Sequence, residues 1–352
     1  MNKNTEKEYK VLVIGDTWHG SDCTGLARGF REAGCVVELI GQDQFFPKTD
    51  RAFISKVLVR LLKGFFKKQL NRHILKYART IKPHITVVFK GNYVDVQTLL
   101  KLREESNWLT NFYPDISLMN QSTVKVDGFQ HYHHIFTTKS FGVKDYERNL
   151  GLTEVSFLAH GFDPNVHRLV NKELCKDWEN DVSFIGGWSE HKEKLLRALK
   201  TNLPEINLKI WGYGWESNKS ECLESSIVGY GIFGDFYAIA INASRINLGL
   251  LQEKAKGASS GDLTTARTFH IPAAGGFMLH ERNDEVLNYF KEDEEIACFS
   301  SDTELIEKVK FYLSNAAARN HIAHIGRNCC LAENKHSDRA KSIIKKYEFE
   351  FD

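Results

Sequence analysis

Short apolar runs rich in β-branched residues alternate with helix-length segments along this chain, and the alternation starts twice. Lys10-Val-Leu-Val-Ile14 opens the first series and stops at Gly15. A helix is expected over about residues 23–33, ended by Gly34. Val36–Ile40, Ile85–Phe89, Trp108–Phe112, Ile135–Thr138 and Val155–Leu158 then read as strands. Runs that are apolar throughout, with helices between them, belong to parallel sheets covered on both faces. With 42% hydrophobic and 26% charged residues, a disordered chain, a collagen-like chain and a small disulfide scaffold are excluded.

The pattern restarts at Val182-Ser-Phe-Ile185, followed by Gly186-Gly187 and a helix from about Glu190 to Lys200. Strands are expected at Leu208–Trp211, Ile246–Leu250, Phe277–Leu279 and Ala297–Phe299, with a helix over Phe236–Ala243. A helix over Asp302–Leu313 takes Asp302 as its N-cap, and two more cover 316–330 and 337–348. At about 150 residues per domain, 352 residues suit two domains. The expectation is an α/β chain of two Rossmann-like domains facing a central cleft, with ligands at the carboxyl ends of strands. The boundaries read as 1–160, a polar linker 161–180, and 181–335.

Composition narrows the function classes. The net charge of +2 is a cancellation: residues 1–170 carry +7 and the remainder −5. A protein coating nucleic acid carries a larger surplus, so none is expected as a partner. The seven cysteines form no C-x-x-C, Met1–Lys10 lacks an apolar signal core, and no run suffices for a membrane span. The expected location is cytoplasmic. Arg51–Arg79 holds nine Lys/Arg and no acid, with Ile54, Leu58, Leu61, Leu62 and Phe65 at helical spacing. A basic amphipathic helix can rest on an anionic membrane surface, and Gly64 suggests a bend in it. A helix covering the first sheet is the plainer reading.

Several stretches bear on chemistry. The first loop, Gly15-Asp-Thr-Trp-His-Gly-Ser-Asp22, offers backbone amides at Gly20 and proton carriers at Asp16 and His19. Lys254-Ala-Lys-Gly-Ala-Ser-Ser-Gly-Asp-Leu-Thr264-Thr265-Ala-Arg267 combines cations, hydroxyls and a helix start, which together suit a pyrophosphate. Pro272 in the helix that follows is expected only near a first turn. Gly229–Gly234 matches G-x-G-x-x-G literally but follows no strong strand, so it reads as a chance match rather than a dinucleotide site. His131-Tyr-His133-His134 and the His321/His324 pair invite a metal reading, yet no cysteine pair lies near and packing explains them as well.

Beyond these features, the chain resembles the spore-maturation-protein CgeB-like glycosyltransferases, a GT-B group. The resemblance is carried by Asp262-Leu-Thr-Thr-Ala-Arg-Thr-Phe-His-Ile-Pro-Ala-Ala-Gly-Gly-Phe-Met-Leu-His-Glu281, by Leu158–His167, by Lys82–Gly91 and by Asp181–Gly187. It implies transfer of a sugar from a nucleotide-sugar donor, held on the second domain, to a glycan, lipid-linked or other acceptor on the first. Gly186, Gly187, Lys254, Thr264, Thr265, Arg267 and His270 are the implied donor contacts. Arg267-Thr-Phe-His270 departs from the group's R-x-F-E by placing His where Glu would bond the donor ribose. Gly20, Lys90, Asp115 and His160 are acceptor-side candidates. Asp16 and His19 are the catalytic candidates, although Asp115 and His160 also qualify as a base, and a retaining transfer needs none. No D-x-D occurs, so no metal or other cofactor is expected. The helix over 336–352 is expected to pack back on the first domain. A non-catalytic nucleotide-binding protein on this scaffold is the alternative suggested by His270, and an NAD(P)-dependent oxidoreductase is suggested by the glycine motif alone.

Overall fold

The computed structural model describes residues 8–46, 53–117, 119, 123–218 and 220–351, with side chains between 53 and 60 described from Arg60 onward. In chain order the first elements are β1 (Lys10–Gly15), α1 (Asp22–Glu32), β2 (Val36–Gly41), α2 (Phe53–Ile81), β3 (Ile85–Phe89), α3 (Val96–Glu105), β4 (Trp108–Tyr113), β5 (His134–Thr137), α4 (Gly142–Leu150) and β6 (Val155–Phe157). There follow β7 (Asn180–Ile185), α5 (Glu190–Asn202), β8 (Leu208–Trp211), α6 (Asp235–Ala243), β9 (Ser244–Gly249), α7 (Ala266–Ala273), β10 (Met278–Glu281), α8 (Asp284–Tyr289) and β11 (Ala297–Phe299). Helices α9 (Asp302–Ser314), α10 (Ala316–Glu333) and α11 (His336–Phe351) complete the chain.

Among the described residues there are two parallel sheets, ordered β2-β1-β3-β4-β5-β6 and β11-β10-β9-β7-β8. They anchor two compact units. The first holds the residues up to Ala159, Ala255–Ser259 and the segment from His336; the second holds His160–Lys254 and Ser260–Lys335. Residues 161–180, read from the sequence as a linker, therefore fall in the second unit, where Lys172–Trp178 forms a 3-10 helix with Cys175 buried.

In the first unit, strand alternation sorts the core onto two faces. Leu12 and Ile14 of β1 pack with Leu70, Ile74 and Ala78 of α2. Val11 and Val13 pack with Leu26 and Phe30 of α1 and with Ile343 and Tyr347 of α11. Helix α11 can approach α1 because Gly25 and Gly29 carry no side chain: a Cβ on either would collide with His336. Helix α2 continues through Gly64 without a break. A glycine keeps every backbone hydrogen bond of a helix, and its cost of about 1 kcal/mol is small beside the packing of the helix's second half. The side chains of Arg51, Ile54 and Leu58 lie outside the described residues.

The second core joins Phe184 and Val182 of β7, Ile246 and Leu248 of β9, and Leu195, Leu196 and Leu199 of α5. Two helix-end readings are corrected here. Ser301, not Asp302, caps α9, its hydroxyl accepting from the Glu304 amide; Asp302 is the first helical residue. Pro272 lies in the last turn of α7 rather than the first. It removes one hydrogen bond from a helix that ends one residue later, so the loss does not propagate.

Each sheet reverses its strand order once on either side of its opening strand: β1 lies between β2 and β3, and β7 between β8 and β9. In open parallel sheets the crevice at such a reversal takes the ligand. The loops after β1 and β3 in one unit, and after β7 and β9 in the other, are placed there by topology alone.

Candidate functional site

In the second unit the loop after β7 begins Gly186-Gly187. Gly186 donates its amide to Trp211 O at 2.8 Å and accepts from Trp215 Nε1 at 2.9 Å. The guanidinium of Arg267 lies over it. A Cβ on Gly186 would sit 2.8 Å from Arg267 Nη1 and 2.8 Å from Phe184 Cζ, which only glycine avoids. Arg267, in the first turn of α7, donates from Nη2 to Leu250 O at 2.7 Å and stands 5.3 Å from the Phe184 ring centroid. Its Nε has no hydrogen-bond partner. Burial lowers its pKa from the ordinary guanidinium value, yet arginine stays charged.

Lys192 joins this set, and sequence reasoning missed it. It sits in the charged run Glu-His-Lys-Glu-Lys at the start of α5, which reads as a solvated helix face. In the structure it is 4% exposed. Its Nζ donates to Gly187 O at 3.2 Å and to Gln252 Oε1 at 2.7 Å. Burial, assisted by the charge of Arg267, pulls its pKa down to about 8, against the opposing pull of Asp262, Glu253 and Glu281. The available signal was Ser189 as the cap of a helix directly after a Gly-Gly strand end, because the third residue of such a helix points back toward that end.

Two carboxylates frame the cations. Glu281, at the end of β10, accepts from the Leu251 amide at 2.5 Å and lies 2.7 Å from His191 Nε2. Burial raises the pKa of Glu253, but hydrogen bonds from the Ser189 hydroxyl and from the backbone amides of Glu253 and His191 outweigh it, and the net shift is downward. Ser189 caps α5, its hydroxyl accepting from the Lys192 amide. At the amino end of α7, Thr265 is 8% exposed and forms a capping box with Thr268. Its amide donates to Thr268 Oγ1 at 3.0 Å.

The remaining donor-side candidates are dispersed around this centre. Thr264 donates to Glu285 Oε1 at 2.6 Å, toward α8. Lys254 is exposed. His270 is 7% exposed, with its Nε2 3.1 Å from Gly161 O and its ring stacked on His167 at 3.7 Å.

In the first unit the strand ends gather charged groups. Lys90 follows β3 and pairs with Asp115, which follows β4, at 2.7 Å. Asp16 follows β1; its carboxyl is raised by burial and by the charge of Asp43, and lowered in part by Lys90. Asp43 accepts from the Thr17 amide at 2.7 Å and from its hydroxyl at 3.0 Å, which fixes the loop. His19 is exposed, and Gly20 takes a φ of +88° that glycine adopts freely. His160, expected with this group, is buried and belongs to the second unit.

Residues 190–345 match the sequence model of a family described as Glycosyl transferase-like. No curated protein matches the chain. Among solved structures, sucrose-phosphate synthase from Thermosynechococcus elongatus is similar with a TM-score of 0.66 at 12% identity, over 98% of this chain and 99% of that one. HepE from Anabaena, solved in complex with UDP and glucose, gives 0.65 at 12% identity, over 97% and 100%. AviGT4, a glycosyltransferase involved in avilamycin A biosynthesis, gives 0.61 at 13% identity, over 97% of each chain. At such identities the likeness establishes the fold. This chain has the GT-B fold, α/β with two parallel sheets and surrounding helices, and its residues 190–345 resemble the glycosyl transferase-like family model.

Proposed function

We propose that this protein transfers a sugar from a nucleotide-sugar donor to a glycan or lipid-linked acceptor without a metal at the reaction centre. The observation that carries the reading is the pair Arg267 and Lys192, two partly desolvated cations held at the carboxyl ends of β7 and β9. A dianionic diphosphate is the ligand class that such a pair, beside the helix start at Thr265, stabilises best. As the sugar departs, charge builds on that diphosphate, and preorganised donors in a water-poor pocket favour the transition state over the ground state. HepE, a structural neighbour, binds UDP and UDP-glucose, which supports a uridine nucleotide as the first donor to test.

On the acceptor side Asp16 is the best-placed base: burial and Asp43 raise its pKa, which strengthens a carboxylate as a proton acceptor. Lys90, Asp115, His19 and the Gly20 loop supply polar contacts for the incoming hydroxyl. Helix α2 gives this reading a membrane surface. Leu61 and Phe65 are 75% and 56% exposed among Arg60, Lys63 and Lys68, a pattern that suits anionic lipid. Among the described residues no helix is long and apolar enough to cross a membrane.

A panel of nucleotide sugars tests the proposal by thermal shift and by donor hydrolysis. Stabilisation by one nucleotide class, lost in Arg267→Ala and Lys192→Ala, is expected; no response to any nucleotide overturns it. A second reading, a binding protein without turnover, is favoured by His270, whose imidazole bonds Gly161 O at a position where the R-x-F-E pattern has a carboxylate. Donor binding without transfer across an acceptor panel supports that reading instead.

A further inference from the structure

The stretch His131–His134 takes no part in the sugar-transfer reading. His134 opens β5 and is 3% exposed, walled by the rings of Trp108 and Phe136. Its Nε2 lies 2.8 Å from Ser156 Oγ on β6. Its Nδ1 is buried and has no hydrogen-bond partner. That nitrogen faces two carboxylates from elsewhere in the same unit. Glu154, just before β6, places Oε2 3.7 Å away, and Glu350 comes from the last turn of α11. One donor atom from each of the three lies within 4.8 Å of the others.

We propose that His134, Glu154 and Glu350 bind a divalent transition-metal ion of the zinc class. A separation of 3.7 Å is too long for a hydrogen bond. It is close to the spacing of two ligands on one tetrahedral ion, about 3.4 Å for bonds near 2.1 Å. In the tautomer that directs the Nε2 proton at Ser156 Oγ, Nδ1 presents a lone pair, and ionised carboxylates have no proton to offer it. Three acceptors thus converge, and a cation satisfies them together. One imidazole with two carboxylates favours zinc-like ions over magnesium, with water filling the open position.

Lys346 is the resident competitor. Its Nζ lies 2.5 Å from Glu350 Oε1, one turn back on α11. An ion in the site takes over part of that role and fastens the end of α11 to the β5–β6 edge of the first sheet. The sequence showed the histidines but not the carboxylates, which lie about 20 and 216 residues away along the chain.

The test is a titration of the chelator-stripped full chain with Zn²⁺, read by calorimetry and by Tm. One equivalent binds and raises Tm. Glu154→Gln and Glu350→Gln each weaken binding at least about tenfold, and Lys346→Met tightens it. Both glutamates are exposed, so their variants keep the fold. His321→Ala/His324→Ala, on α10, leaves binding unchanged, and millimolar Mg²⁺ does not displace the ion. Wild-type affinity in both glutamate variants, or no saturable binding, overturns the proposal.

Discussion

The guanidinium of Arg267 fills the space that a side chain on Gly186 would need, with Nη1 2.8 Å from the place of the missing Cβ. The glycine that follows β7 and the α7 arginine are 81 residues apart in sequence and form one unit of the site. Gly186→Ala is therefore expected to displace Arg267 and to lower nucleotide-sugar affinity at least tenfold. Overpacking of this kind costs about 1–3 kcal/mol of stability. Calorimetry and thermal unfolding on the same variant separate the two effects. Unchanged donor affinity would remove Arg267 from the donor contacts.

Lys192 predicts a pH dependence. Its pKa falls from the ordinary lysine value to about 8 in the folded protein, with burial as the main cause. Between pH 8 and 10.5 the unfolded chain then binds more protons at this site than the folded one, so its contribution to stability rises with pH in that window. Donor affinity moves the opposite way, falling as pH passes 8 and the ammonium is lost. Lys192→Arg, charged throughout, is expected to flatten the affinity profile. Affinity that holds to pH 10 in the wild type would separate Lys192 from the diphosphate.

Lipid binding is predicted to depend on the exposed turns of α2. Liposomes containing anionic lipid are expected to co-sediment the protein at low salt and less of it at high salt. Lys68→Glu and Phe65→Ser each weaken sedimentation. Lys67 is a poorer probe because it pairs with Asp95 beside α3, so its replacement disturbs the fold as well as the surface. Sedimentation that Lys68→Glu and Phe65→Ser leave unchanged would mark α2 as a cover for the first sheet only.

Acid stability is predicted to centre on Arg282. Its guanidinium bridges Glu292 at 2.5 Å and Glu304 at 2.7 Å, tying β10 to the start of α9. The Arg282 hydrogen bond is the largest influence on both carboxyls, and Glu304 is held down at about 2. Their contribution is complete above the unfolded value of 4.5 and is lost as pH falls from there toward 2. Arg282→Ala is expected to cost about 2 kcal/mol at pH 7 and to flatten the fall in Tm between pH 4.5 and 2. A variant curve parallel to the wild type would argue against this network.

The strands were legible because a parallel sheet buried on both faces demands continuous apolar runs, and such runs stand out at Lys10–Ile14, Ile85–Phe89 and Val182–Ile185. Arg267 and Gly186 were legible as candidates, since each adjoins a strand end and a helix start. Lys192 was not, because a lysine among Glu, His and Lys looks solvated until the packing around it is known. Nor was the cap of α9, since Ser301 and Asp302 are both good capping residues and only the backbone turn chooses between them.

The sequence by itself determined the alternation of strands and helices, its restart near residue 180 and hence two parallel sheets, because periodicity and turn residues act locally. The tertiary structure decided which distant groups share one environment. It buried Lys192 beside Gln252, set Arg267 over Gly186, and turned His270 onto Gly161 O. It brought α11 against α1 through two glycines and aimed Glu154 and Glu350 at His134. Desolvation and close approach depend on what surrounds a residue in space, and no local pattern in the chain encodes that.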